Sequence, residues 1–322
     1  PATCAAIGKM GIPEMRKRGY PDEIATGSIA AGGTLGILIP PSITMIVYGI
    51  ATETSIGRLF LAGVVPGFLL MGLFMAWSIY ATWAAGGRSA MLQTSYSWRE
   101  RLEILPRVLP FIAIILGVLY TMYGGVATPS ETAAVGALLC LIVAMIIYRL
   151  TSFSALWNVL RDSTKESVMI LFIIAAAGVF SYMLSSLYIT QSIAEWISDL
   201  DVNRWTLMIA INVFLIIAGF FLPPVAVILM TAPILLPVIT GAGFDPIWFA
   251  VVLTINMEIG LISPPVGLNL YVINGIAPDI SLRTILVGSL PFVACMLIAI
   301  ALLCLFPSLA TWLPDAVMGQ AL

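Results

Sequence analysis

"GILIPPSI" at residues 36–43 and "GLISPPVG" at residues 260–267 decide how this chain folds. Each sets two adjacent prolines inside a long apolar run, where a helix crossing a membrane most needs unbroken hydrogen bonds. In a helix the carbonyl of residue i accepts the N–H of residue i+4. Pro40 and Pro41 carry no N–H, so the carbonyls of Gly36 and Ile37 lose their partners, and Pro264 and Pro265 do the same to Gly260 and Leu261. An unsatisfied polar group in hydrocarbon costs several kcal/mol, so such backbone persists only where protein or a polar cavity covers it. A plain proline kink accounts for either pair alone, but less well for both together. A cation can use the stranded carbonyls directly. The half-helix that starts after each pair offers free N–H groups and a positive dipole end to an anion. One broken helix thus combines oxygen ligands for a cation with an electropositive end for a carboxylate, the chemistry of cation-coupled anion transport.

Composition sets the solvent. Of 322 residues, 61% are hydrophobic and 9% charged, with a mean hydropathy of +1.08. A soluble domain needs a far larger charged fraction, so the chain reads as an all-α polytopic membrane protein embedded in a lipid bilayer. Its net charge of −2 and lack of any basic run argue against nucleic acid. Histidine is absent, which removes imidazole relays, His-based triads and ordinary zinc sites. Cys4, Cys140, Cys295 and Cys304 lie in apolar segments without a CxxC pair and read as small buried hydrophobes. With no nucleophile–base or metal constellation and no GxxxxGK[ST] motif, the sequence points away from an enzyme, an ATP-driven pump or a cofactor site. A passive channel would line its pore with rings of polar or charged residues; few are present.

A spanning helix needs roughly 20 apolar residues. Candidate spans are 24–50, 60–84, 108–124, 131–148, 167–187, 247–276 and 284–306. Residues 206–239 are also apolar, but Pro223–Pro224 cuts them into two arms that read as too short to span, hence as a re-entrant hairpin. With these spans, the loops carrying Lys9, Arg16, Lys17 and Arg18, then Arg88, Arg99, Arg101 and Arg107, then Arg149, Arg161 and Lys165, and finally Arg283, fall on one side. Only Arg58 and Arg204 lie opposite, so 12 of the 14 basic residues mark one side as cytoplasmic. The stretches 95–107 and 192–205 read as helices lying in the two interfaces.

Sliding the sequence by 224 positions aligns Pro13 with Pro237, Gly19 with Gly243, Tyr20 with Phe244, Gly36 with Gly260 and the two proline pairs, without a gap over 29 residues. The charge count puts the first Gly-aromatic turn inside and the second outside, so the copies are inverted. Inverted repeats with matching broken helices point to the central site of a secondary transporter. The second copy starts near residue 105, some 160 residues before its proline pair, whereas the first has 39 residues before Pro40. If the copies are of similar length, on the order of 100 residues are missing on the N-terminal side.

Glu258 is the one carboxylate clearly within a broken span, and an intramembrane acid is a functional candidate. It could equally brace the broken helix by accepting from freed N–H groups. Asn256 and Asn269 flank the break and either face a cavity or pack between helices. "TPSETAAVGA" (128–137) reads as a helix start, with Pro129 and Ser130 near the cap and Glu131 in the first turn.

"PATCAAIG" (1–8), "GTLGILIPPSI" (33–43), "GGVATPSETAAVGA" (124–137) and "NMEIGLISPPVGLNLYV" (256–272) resemble the large membrane subunit of tripartite ATP-independent periplasmic (TRAP) transporters, the DctM-like family. The resemblance runs along essentially the whole chain. It implies an elevator-type fold with two inverted repeats, each holding a re-entrant hairpin and a broken helix, in the bacterial inner membrane. It implies sodium-driven uptake of small organic anions, typically carboxylates such as C4-dicarboxylates, with no cofactor beyond Na+ as coupling ion. The implied partners are a periplasmic substrate-binding protein and a small four-helix membrane subunit. A cation-coupled anion transporter of the same superfamily working without a binding protein is the alternative.

Carried over, the resemblance places one sodium site at Gly36, Ile39 and Pro41 and another at Gly260, Ser263 and Pro265, mainly through backbone carbonyls. The substrate cavity would take Thr3, Pro40, Ser42, Pro223, Pro224, Glu258, Pro264 and Asn269. The Ser-Gly-Ser stretch that precedes the residues matching Pro1–Thr3 in the family is missing here, so the first site is half visible. Many members have "FLDPTA"-like residues where this chain has "FLPPVA" (221–226), which leaves backbone carbonyls as ligands at the second hairpin. The implied organisation is a transport domain of 1–85 and 205–306, an interfacial segment 86–107, scaffold helices 108–204 and a C-terminal tail 307–322.

Overall fold

The computed structural model describes residues 2–86, 97–189, 192, 195 and 202–319. Its elements are the helices α1 (Ala2–Lys17), α2 (Asp22–Gly32), α3 (Leu35–Leu38), α4 (Ile43–Thr52), α5 (Ile56–Ala84), α6 (Trp98–Tyr123), α7 (Pro129–Ile146), α8 (Phe153–Ser186), α9 (Arg204–Phe221), α10 (Pro224–Gly241), α11 (Pro246–Leu261), α12 (Leu268–Ile276), α13 (Leu282–Leu305) and α14 (Ser308–Met318). Among the described residues there is no strand. Among the described residues, seven segments are long and apolar enough to cross a membrane: Asp22–Thr52, Ile56–Ala84, Pro129–Ile146, Phe153–Ser186, Arg204–Phe221, Pro224–Gly241 and Leu282–Leu305. The chain is an all-α polytopic membrane protein.

Several boundaries depart from the sequence reading. The arms α9 and α10 are each 18 residues, about 27 Å at a helical rise of about 1.5 Å per residue, so length does not make them too short to span. Whether they cross or fold back, two arms leave the sidedness of every other loop unchanged. The expected span 247–276 is two helices, α11 and α12. The described part of 95–107 is the start of one 26-residue helix that runs through Pro106 and Pro110 to Tyr123, not a separate element. Arg88 and most of 192–205 lie outside the described residues. The expected tail is partly helix α14, anchored to the start of α5 by Arg58, which pairs with Asp315 at 3.0 Å and donates to the Gly319 carbonyl. The helix start at α7 follows the sequence: Thr128 caps it, Pro129 opens it, and Thr128 and Glu131 form a reciprocal capping box.

The chain divides into two compact units, residues 94–175 and residues 1–93 with 176–322. In the smaller unit α6 packs on α7, with Val118 against Gly136. The larger unit is built around α11, whose residues from Ile247 to Leu261 are all buried. A helix apolar all round belongs in a core. Asp245 caps it by accepting from the Ile247 and Trp248 amides at 2.8 Å each. Trp248 then donates to the Leu303 carbonyl of α13, and Tyr48 of α4 donates to the Pro246 carbonyl.

The starts of α1, α2, α4 and α5 and those of α10, α11, α12 and α13 fall within two residues of the 224-residue offset. Packing crosses between the sets: α1 lies on α12 and α10 on α4, while α2 lies on α13 and α11 on α5. The α2–α13 crossing is made possible by two glycines, since a Cβ on Gly27 would overlap the Gly288 carbonyl and one on Gly288 would overlap that of Glu23. At one end Arg16 joins three segments by pairing with Asp22 at 3.0 Å and Asp279 at 2.5 Å. Hydrogen bonding from its guanidinium holds the Asp279 carboxyl below the usual carboxylate range.

Gly27→Ala should force α2 and α13 apart, destabilising the protein by about 1–3 kcal/mol as overpacked cores do. Gly72→Ala, where a Cβ would meet nothing within 4 Å, should be neutral or slightly stabilising. Thermal unfolding of the two variants in detergent checks the contrast.

Candidate functional site

At the first break the apolar run is interrupted twice. α2 ends at Gly32, a turn at 33–34 intervenes, α3 ends at Leu38, and the chain is extended at Ile39 before α4 begins. The Ile37 carbonyl, stranded by Pro41, is not left open: Ser42 donates to it and the Thr44 hydroxyl lies 3.0 Å away. Ser42 is also the N-cap of α4, accepting from the Met45 amide at 3.3 Å. A freed acceptor and a freed donor are thus satisfied by one buried hydroxyl. Pro40 is buried, whereas Gly36 and Pro41 are exposed. A Cβ on Gly36 would meet Thr3 of α1 at 3.7 Å, so the start of the chain lies over this break.

The second break is built differently. α11 continues unbroken to Leu261, and the N-cap of α12 is Gly267, which adopts a left-handed φ of 53° and gives no side-chain cap. The positions matching Ser42 and Thr44 are Val266 and Leu268, which have no hydroxyl to offer the Leu261 carbonyl. Ser263 is buried and Pro264 and Pro265 are exposed. The Ser289 hydroxyl of α13 lies 3.0 Å from the Ile262 carbonyl, one residue further on, and 2.8 Å from the Leu286 carbonyl of its own helix. Both proline–proline peptide bonds are cis.

The turn between α9 and α10 meets this second break. Residues Gly219–Pro223 on one side, with Gly260, Leu261 and 266–268 on the other, line a cavity of about 90 Å³. The approach is backbone to backbone, because a Cβ on Gly260 would overlap the Gly219 carbonyl. Asn256 reinforces it by donating to Asn212 of α9 at 2.6 Å, so Asn256 packs between helices. Among the expected site residues, the structure brings Thr3 to Gly36 and Pro223 to Gly260. Ser263, Pro264, Pro265 and Pro224 are not in that cavity wall.

Glu258 and Asn269 both reach from the second set of helices to the break in the first. Glu258 is fully buried and contacts the Thr34 hydroxyl at 3.4 Å, not the freed N–H groups that the bracing role required. Thr34 stands 224 residues before it, at the matching position of the first copy. Asn269, also fully buried, donates to the Ala30 carbonyl at 3.1 Å. Thr34, Thr44, Asn212 and Gly219 escaped the sequence reading. The offset alone would have pointed to Thr34, as the counterpart of Glu258; nothing in the sequence singled out the others.

Comparison with known proteins agrees with this architecture. Residues 1–309 match the family model for the "Tripartite ATP-independent periplasmic transporter, DctM component". The chain is 41% identical to a C4-dicarboxylate TRAP transporter large permease protein of Pseudomonas aeruginosa, over 98% of this chain and 73% of that protein. It is 37% identical to the corresponding C4-dicarboxylate permease of Vibrio cholerae, over 99% and 74%. A sialic acid TRAP transporter large permease protein from Vibrio cholerae is 30% identical over 99% and 74%. With its two proline breaks, its helix order and this match along nearly its whole length, the chain belongs to the DctM family of large permease subunits of tripartite ATP-independent periplasmic transporters.

Proposed function

We propose that the chain is the permease of a sodium-coupled, binding-protein-dependent importer of small carboxylates across the bacterial inner membrane. C4-dicarboxylates are the first class to test, because the two relatives above with the higher identity carry that name. The observation that carries the proposal is the cavity where Gly219–Pro223 meets Gly260 and 266–268. There a carbonyl without an intrahelical partner lies beside an uncapped helix start, a pairing suited to a cation and a carboxylate.

In this reading sodium is held mainly by backbone carbonyls at Gly36, Ile39 and Pro41 and at Gly260, Ser263 and Pro265. Substrate sits near Thr3, Pro40, Ser42, Pro223, Pro224, Glu258, Pro264 and Asn269. The two helix sets are inverted repeats, α9–α10 is a re-entrant hairpin, and residues 1–85 and 205–306 form a domain that moves as an elevator against helices in 108–204. The shared offset of the helix starts and the crossed packing support the repeats. The larger compact unit, 1–93 with 176–322, holds both halves of the proposed moving domain together but also takes in 176–204, which the division gives to the other helices. A periplasmic binding protein and a small four-helix subunit complete the complex. Family membership favours this tripartite arrangement over a carrier working without a binding protein.

Uptake by the reconstituted complete complex should collapse when sodium is replaced by potassium; unchanged uptake would remove the coupling proposal. Gly260→Ala, which drives a methyl into the Gly219 backbone, should abolish uptake and lower thermal stability together. Gly36→Leu should abolish uptake while unfolding like the parent, because Gly36 is exposed with only Thr3 close by. Normal transport in Gly36→Leu would show that the first break is not a working site.

A further inference from the structure

Two fully buried oxygens near the first break have no hydrogen-bond partner: Oε1 of Glu258 and Oδ1 of Asn269. Both side chains come from the second helix set and attach within residues 30–34, Glu258 to Thr34 and Asn269 to the Ala30 carbonyl. No ion pair among the described residues includes Glu258. It is also the one ionisable Asp, Glu, Lys or Arg among their buried side chains. Removing the partner of a buried charge is strongly destabilising, so an unpaired carboxyl at this depth either takes up a proton or needs a counter-charge.

The hydroxyl of Thr34 cannot supply what is missing. It has one hydrogen and two acceptors, the Ala31 carbonyl at 2.8 Å and Glu258 Oε2 at 3.4 Å, and the nearer carbonyl is the better partner. The Thr34–Glu258 contact is then a meeting of two oxygens. A proton on the carboxyl would bridge that one contact, yet it would leave the buried amide oxygen of Asn269 unpaired. A cation takes several oxygen ligands at once, and hard cations favour carboxylate, carbonyl and hydroxyl oxygens.

We propose that Glu258 and Thr34, with Asn269, whose amide nitrogen is held by the Ala30 carbonyl one helical turn before Thr34, form a site for one monovalent cation between the two broken helices. It is separate from the carbonyl sites at the proline pairs. One carboxylate calls for a singly charged ion, and sodium is the ion the transport reading supplies, on which this inference rests. Thr34 and Glu258 hold the same place in the two copies, so the site joins the repeats instead of belonging to either. An ion there would tie the breaks together and so make loading of one felt by the other.

The test uses the complete complex in vesicles, with the sodium-to-substrate ratio read from the reversal potential of uptake. Glu258→Gln keeps the shape but loses the charge, and should carry one fewer sodium ion per substrate. Thr34→Val should raise the sodium concentration needed for half-maximal uptake, with the potassium background unchanged. A wild-type ratio in Glu258→Gln overturns the site, as does a ratio that stays constant while the pH dependence changes, since Glu258 then holds a proton. If Glu258→Gln does not fold, Thr34→Val decides: an unchanged half-saturation for sodium overturns the site. Wild-type uptake that ignores sodium overturns the transport reading as well, whereas sodium-dependent wild type with unaffected variants overturns this site alone.

Discussion

Backbone hydrogen bonding is the constraint from which the rest of the structure follows. Inside a membrane a peptide group has no water to turn to, so each proline pair obliges its surroundings to supply a substitute. At the first break the chain supplies it locally, through Ser42 and Thr44 on the Ile37 carbonyl. At the second break, Val266 and Leu268 stand where those hydroxyls would be. The neighbouring surface comes instead from another part of the chain, the turn between α9 and α10. The same sequence device therefore produces one break sealed from within and one that opens on a small cavity.

That difference bears on what each break can do. A cation approaching the Ile37 carbonyl meets two hydroxyl oxygens that already serve it, so they must turn away or become ligands themselves. At Leu261 no such exchange is needed. The N-termini differ too, since Ser42 occupies one of the first amides of α4 while Gly267 leaves those of α12 uncapped. The electropositive end that a carboxylate would seek is thus less satisfied at the second break.

The sequence made the solvent, the two breaks and their common offset legible, because each rests on covalent facts: side-chain polarity and missing amide hydrogens. The start of α7 was legible for the same reason, through the Thr128, Pro129 and Glu131 pattern. Legibility failed where long-range packing decides. One difference was local instead: α9 and α10 are 18 residues each, because Pro223 caps and Pro224 opens α10, so the pair shortens neither arm. The turn at 33–34 sets Gly33 so close to Cys4 of α1 that a Cβ would not fit, a contact that no spacing in the sequence announces. Glu258 was conspicuous and the offset pointed to Thr34 as its counterpart, but that the two side chains touch depends on how the copies pack.

Close glycine contacts also limit how the larger unit can deform. Gly219 and Gly260 bring α9 and α11 together at backbone distance, and the Asn212–Asn256 bond fixes their register one turn away along α11 and about two along α9. Separating them would expose amide and carbonyl groups, the buried Asn256 and the half-buried Asn212 at once, at a cost of several kcal/mol in a low-dielectric interior. Gly27 and Gly288 impose the same restriction on α2 and α13. Opening the cavity by lifting α9 from α11 would thus break the contacts that define it. Carrying hairpin and broken helix together leaves those contacts intact, so the packing favours motion of the unit as a body over the opening of a hairpin within it.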